Sequence, residues 1–182
     1  MTESSIARHR PPLASDEVGM LRGFLDFFRA TVQRQAEGLS QEQLAQQLAP
    51  STMTIGGMLK HLAFVEDWWF PMVMQGRDPL PPFDTADWDA DEDWDWHSAA
   101  QDTPEELLAL HRRAWSTADQ TLEELLAGDG LDAVAVRPRH NGDRVTLRWV
   151  LVHMIEEYAR HAGHADLIRE SIDGRVGHDP PR

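Results

Sequence analysis

The sequence contains no cysteine among its 182 residues. The chain therefore forms no disulfide and supplies neither a thiolate nucleophile nor a thiolate metal ligand. Any metal site must be built from histidine and carboxylate side chains, and the chain has nine histidines for that purpose.

Basic residues and long apolar runs are also scarce. Lys and Arg number 17 against 31 Asp and Glu, a net charge of -14, which argues against nucleic acid as a partner because phosphate neutralisation needs clustered cations. No segment approaches the roughly 18 apolar residues of a membrane span, and residues 1–12 lack the apolar core of a signal peptide. We therefore expect a cytoplasmic protein with no membrane partner.

Apolar residues recur at intervals of three and four along four long segments, which predicts four long helices. The first runs from about residue 16 to 37 after a cap at Ser15, and the last from a cap at Thr146 to Gly174. Thr103, Pro104 and Glu106 form a strong start signal for the third. The predicted fold is all-α, an up-down-down-up four-helix bundle in one domain over residues 15–174. Residues 1–14 are predicted to be a disordered tail and residues 175–182 a C-terminal tail.

Two further segments lie between the long helices. Ser40 and Gln43 have the spacing of a capping box and predict an additional short helix. Residues 76–102 are rich in Pro and Asp and predict a long acidic loop, within which Trp88, Trp94 and Trp96 are expected to pack on the bundle. The acidic pattern does not fit an EF-hand, and the role of residues 84–98 stays open, with a substrate lid as one hypothesis.

The stretch HMIEEYARHAGHADLIRE, residues 153–170, places His153, Glu157, His161 and His164 on one helical face. Glu157 and His161 are four residues apart and can present ligand atoms to one ion, with His61 of the second long helix as the candidate third ligand. Spacing alone leaves open that these side chains are solvated or paired with each other. The HExxH motif of zinc peptidases is absent, which disfavours peptidase chemistry.

This stretch and MLKHLAFVEDWW, residues 58–69, resemble the DinB-like metal-binding four-helix-bundle superfamily, over about residues 15–174. Within that superfamily the sequence resembles the actinobacterial branch related to mycothiol-dependent maleylpyruvate isomerase and to thiol S-transferases. The resemblance implies His61, Glu157 and His161 as metal ligands, with Glu157 in place of a usual histidine. His153, His164, Trp68 and Trp69 are then expected beside the ligands or lining the pocket. Glu66 and Asp67 lie near enough in sequence to be candidate acceptors for an imidazole N–H, with a surface position as the alternative.

The same resemblance implies a divalent metal cofactor, zinc first with nickel or iron as alternatives, and mycothiol as the thiol co-substrate. The expected activity is transfer of that thiol to an unknown electrophile. The alternatives are a non-catalytic metal-binding or stress-response protein and a metal-dependent hydrolase. The isomerases carry an extra C-terminal domain, whereas this chain ends in GRVGHDPPR, so isomerisation itself is not expected. Relatives form homodimers, but no residue here indicates an interface.

Overall fold

The computed structural model describes residues 7–177, and their secondary structure is helical. The α-helices of this described range are α1 (Glu17–Ala36), α2 (Gln41–Leu44), α3 (Ile55–Asp67), α4 (Trp94–Ser98), α5 (Pro104–Ala127) and α6 (Leu147–Asp173). A π-helical segment, Trp68–Met74, continues α3 and contains Pro71. Extended pairing within residues 7–177 is limited to one bridge, between Val134 and Thr146. The predicted all-α class is confirmed, and the parts of the predicted tails at residues 1–6 and 178–182 lie outside the described residues.

The helix ends follow local side-chain chemistry. Asp16, and not Ser15, caps α1, because the helix begins at Glu17 and the Asp16 carboxylate accepts a hydrogen bond from the Gly19 N–H at 2.8 Å. The other end signals in the sequence are confirmed: the capping boxes of Ser40 with Gln43 and Thr103 with Glu106, the Thr146 cap, and Gly174 at φ 75°.

The long helices pack so that α3 and α6 meet. α1 lies mainly along α6 and α3 mainly along α5, while α3 also contacts α6. Met58 and Leu62 of α3 and Met154 and Ala162 of α6 are buried in the main core, which fixes the rotation of both helices. The polar residues between these apolar positions are thereby directed toward one another. Within residues 7–177, no helix is both long and apolar enough to cross a membrane.

A buried polar network joins all four long helices. Arg29 of α1 donates two hydrogen bonds to the two carboxylate oxygens of Glu66 in α3, at 2.6 and 2.7 Å. Tyr158 of α6 donates to Glu66 Oε1 at 2.8 Å, and its oxygen lies 2.9 Å from His111 Nε2 of α5. Gln33 of α1 lies 2.9 Å from His111 Nδ1. These contacts are mutually consistent when His111 is neutral, accepting from Gln33 and donating to Tyr158. Burial supports this assignment because it lowers the pKa of His111 to about 3.

The acidic segment of residues 76–102 is more ordered than the loop predicted for it. It contains α4 and a short 3-10 turn, Ala99–Gln101. Trp88 and Trp94 pack against a second apolar cluster that includes Phe83, and Trp96 packs against the main core. The expected packing of the three tryptophans is confirmed. The helix α4 was missed because its Asp-rich sequence has no apolar periodicity beyond the tryptophans.

Candidate metal centre

Helices α3 and α6 bring His61, Glu157 and His161 together. His61 Nε2 lies 3.4 Å from Glu157 Oε1, and His161 Nε2 lies 3.5 Å from the same oxygen. One ligand atom from each residue lies within 4.8 Å of the others. The side chains of His61, Glu157 and His161 are 20%, 18% and 13% exposed, so the cluster is sheltered yet reachable from solvent.

The spacing of these atoms fits a small divalent cation. Nitrogen and oxygen ligands lie about 2.1 Å from zinc, and at tetrahedral angles two such ligands are about 3.4 Å apart. The measured 3.4 and 3.5 Å match that spacing. They are longer than the roughly 2.7–2.9 Å of a strong charge-assisted hydrogen bond, so the direct contacts are long and the same spacing accommodates an ion between the side chains.

The electrostatics of the cluster keep its carboxylate ionised. Hydrogen bonding from His161, followed by that from His61, holds the pKa of Glu157 well below its ordinary value. Burial alone would lower the pKa of His61, but hydrogen bonds to Asp95 and Glu157 outweigh it and raise this pKa to about 9. The surroundings are therefore strongly cation-attracting, and an imidazole proton or a metal ion can meet that demand.

The polar partner of His61 on its far side comes from α4. His61 Nδ1 lies 2.7 Å from Asp95 Oδ2, and the Asp95 side chain is 5% exposed. Glu66 and Asp67, the acceptors suggested by the sequence, are occupied elsewhere: Glu66 binds Arg29 and Tyr158, and Asp67 accepts from the Leu80 N–H at 2.9 Å. Asp95 was missed because it is 34 residues from His61 within a segment that looked solvated.

Trp96, which like Asp95 lies on α4, covers His61 and His161. Its ring stacks on His61 with centroids 4.7 Å apart and lies 5.5 Å from the ring of His161. Gly57 makes room for it, since a Cβ atom there would lie 2.7 Å from Trp96 Cε3. Trp96 also lines an open groove of about 510 Å³ whose other residues include Gln47, Thr52, Thr54 and Asp93.

Comparison with known proteins places the chain in a family. The family model described as mycothiol S-transferase matches residues 20–174. The chain belongs to the mycothiol S-transferase family. The predicted DinB-like relationship is thereby confirmed.

Among solved structures, a conserved protein of Enterococcus faecalis is similar, with 18% identity over 89% of this chain and 100% of that chain and a TM-score of 0.57. At this identity the likeness shows the fold alone. No curated protein matches the chain.

The other residues predicted to surround the metal centre of this mycothiol S-transferase family member do not lie together. His153 and Trp69 form one group, while His164 and Trp68 each lie elsewhere. His153 stacks on Trp149 and contacts the edge of Trp69, with ring centroids 5.0 and 5.1 Å away. The His164 ring lies 6.0 Å from that of His161, and its buried Nδ1 has no hydrogen-bond partner among residues 7–177. Trp68 is 41% exposed and packs beside Phe64.

A second group of ligand atoms lies next to the first on α6. His153, Glu156 and Glu157 also have one ligand atom each within 4.8 Å of one another. The Glu156 side chain is 49% exposed and pairs with both His153 and Arg160. This group comes from one helix and one of its members faces solvent, so the cluster shared between α3 and α6 is the better-built site.

Proposed function

We propose that the protein is a metal-dependent S-transferase that joins mycothiol to an electrophilic substrate, with His61, Glu157 and His161 holding one divalent ion. The observation that carries the proposal is the pair of 3.4 and 3.5 Å separations around Glu157 Oε1 in a member of this family. Zinc is the first candidate, because the set of two imidazoles and one carboxylate suits its tetrahedral coordination. As part of this proposal, the four long helices form an up-down-down-up bundle. These helices are α1, α3 with its π-helical continuation, α5 and α6.

The donor set defines the chemistry available at this site. Two neutral imidazoles and one carboxylate carry a single negative charge, and three protein ligands leave a coordination position open. A bound divalent cation would supply positive charge that favours the deprotonated form of a nearby thiol. The nucleophilic sulfur must come from outside, because the chain has no cysteine.

The protein residues then orient the reactants. Glu157 is held ionised by its two histidine neighbours, and Trp96 shields one side of both imidazoles from water. The groove beside Trp96 offers amide, hydroxyl and carboxylate groups from Gln47, Thr52 and Asp93 for the polar remainder of the thiol. In the transfer, the thiol gives its proton to solvent and its sulfur forms a bond to the electrophilic atom. The displaced electron pair leaves with the leaving group or, in an addition, moves to the neighbouring atom.

A matched pair of variants tests this function. The zinc-loaded protein should consume mycothiol in the presence of at least one electrophile from a panel, measured by thiol titration. Glu157→Gln removes the carboxylate of the proposed ligand set and should slow this consumption by at least about tenfold. A tenfold loss of rate corresponds to about 1.4 kcal/mol of transition-state stabilisation. Glu156→Gln makes the same change at the adjacent position and should retain the activity.

Two results would contradict the transferase. The first is a zinc-loaded protein that consumes no mycothiol with any electrophile, which would favour the alternative of a non-catalytic metal-binding protein. The second is undiminished turnover in Glu157→Gln, which would remove the proposed site from the reaction. Release of product from ester or amide substrates without any thiol would favour the hydrolase alternative.

A further inference from the structure

Asp95 is an acid with almost no exposure to water. The residue is 3% exposed, and its carboxylate contacts a ring nitrogen of His61 at 2.7 Å. Burial of a carboxylate is unfavourable unless it is hydrogen-bonded or paired. The contact with His61 is thus the feature that makes this buried position tolerable.

Two tryptophans on either side of Asp95 hold it in place. Trp94 lies under the Lys60 ammonium, 4.5 Å from its ring centroid, and packs edge-on against Phe83. Trp96 stacks on His61. Since Trp94 and Trp96 are anchored to different groups, α4 has little freedom to rotate, and the carboxylate between them stays directed at His61 Nδ1.

We infer that Asp95 is the positioning residue of the metal centre, acting through His61. A carboxylate acceptor at Nδ1 keeps the ring proton on that nitrogen, which would leave the lone pair of Nε2, on the side of Glu157, available to a metal ion. The inference rests on the proposed metal-dependent function. It also gives the acidic segment of residues 84–98 a role, because the segment carries the group that orients a ligand of another helix.

The test compares three variants of the full chain by zinc affinity, measured by competition with a chromophoric chelator. Asp95→Ala removes the acceptor and should weaken zinc binding by about 10–100-fold, the usual effect of losing such a partner. Asp95→Asn keeps an oxygen that accepts the Nδ1 proton and should lie between Asp95→Ala and the wild type. Asp89→Asn removes the same charge from an exposed position of the segment and should bind zinc as the wild type does.

A second measurement reports the orientation directly. Long-range ¹H–¹⁵N spectra of the zinc-loaded protein should show His61 protonated at Nδ1 in the wild type and in Asp95→Asn. In Asp95→Ala this single tautomer should be lost or populated only in part. Residual stability measured by circular dichroism separates loss of folding from loss of orientation, and Asp95→Asn keeps the test decisive if Asp95→Ala does not fold.

The inference is overturned if Asp95→Ala binds zinc with wild-type affinity and retains the Nδ1–H tautomer. It is also overturned if Asp89→Asn weakens binding as much as Asp95→Ala, because the effect would then be one of net charge. A wild-type protein that binds no divalent metal would instead refute the proposed function. Absence of transferase activity with intact zinc binding would refute the proposed transfer reaction, while the zinc affinities of the Asp95 variants would still decide the role of Asp95.

Discussion

The substitution Glu66→Gln tests whether the buried polar network holds the four long helices together. Glu66 and Arg29 are 0% and 1% exposed, and both guanidinium hydrogen bonds to the carboxylate are shorter than 2.8 Å. The substitution removes the negative charge and turns one amide N–H₂ group toward the guanidinium donors or toward the Tyr158 hydroxyl. Removing one partner of a buried pair typically costs about 3–5 kcal/mol. We expect the lower part of this range, because Arg29 keeps its contacts with the carboxylates of Asp26 and Asp119.

That cost is a large part of a typical free energy of unfolding, about 5–15 kcal/mol. For a domain of this size it corresponds to a fall in melting temperature of roughly 6–20 °C. The assay is urea denaturation followed by circular dichroism, with the slope m as a check that the transition stays two-state.

Glu124→Gln is the matched control for this prediction. Glu124 pairs with Arg77 at 2.9 Å, but the two side chains are 55% and 48% exposed. Exposed pairs contribute about 0–1 kcal/mol, so the control should be nearly neutral. Equal, small effects of Glu66→Gln and Glu124→Gln would refute the reasoning that burial makes the Arg29–Glu66 pair structurally important.

Three further predictions concern stability and the cover of the metal centre. His111 has a folded-state pKa of about 3 against 6.5 ordinarily, so its stabilising effect is fully present above pH 6.5 and is lost as pH falls toward 3. Unfolding free energy should therefore fall by up to about 1.4 kcal/mol per pH unit in this window. Denaturation curves between pH 7 and 5 should show a weaker dependence in His111→Gln, and identical dependence would contradict this. Gly57→Ala should push Trp96 off His61 and weaken zinc binding, measured by chelator competition, because the added Cβ would lie 2.7 Å from the indole. Gly163→Ala on α6 meets no atom within 4 Å and should stabilise the protein by about 0.5–1 kcal/mol. Unchanged zinc affinity in Gly57→Ala would show that the Trp96 cover is dispensable.

Local signals in the sequence predicted much of the helical framework. Thr103, Pro104 and Glu106 lie within four residues at the start of α5, and Gly174 adopts the positive φ that ends α6. Such signals act within four or five residues, so a single sequence contains all the information needed to interpret them. The boundaries of α1 differ from the prediction by one residue at each end.

The buried polar contacts were largely unpredictable because they join residues that are far apart in the sequence. Arg29 and Glu66 are far apart in the sequence, and charged residues on helices usually face solvent. Only the packing of α1 against α3 shows that both side chains are buried and that they pair with each other. Asp95 is the same case, since its acidic neighbours indicated a solvated loop while its own side chain points into the bundle.

The proposed ligand set of the metal centre could be predicted in part from the sequence. The four-residue interval between Glu157 and His161 predicted that the two share a helical face. His61 was the candidate third ligand because it lies on the second long helix, and the family resemblance implied the same residue. The fold brings these three side chains together, at 3.4 and 3.5 Å around one oxygen. Their role as ligands stays a prediction.

Metal content is the most direct test of that role. Elemental analysis of the purified protein should find about one divalent ion per chain in the wild type and in His140→Ala, whose histidine is exposed on the loop before α6. His161→Ala should retain far less metal while keeping its helical circular dichroism spectrum. A His161→Ala protein that is folded and holds as much metal as the wild type would contradict the proposed centre.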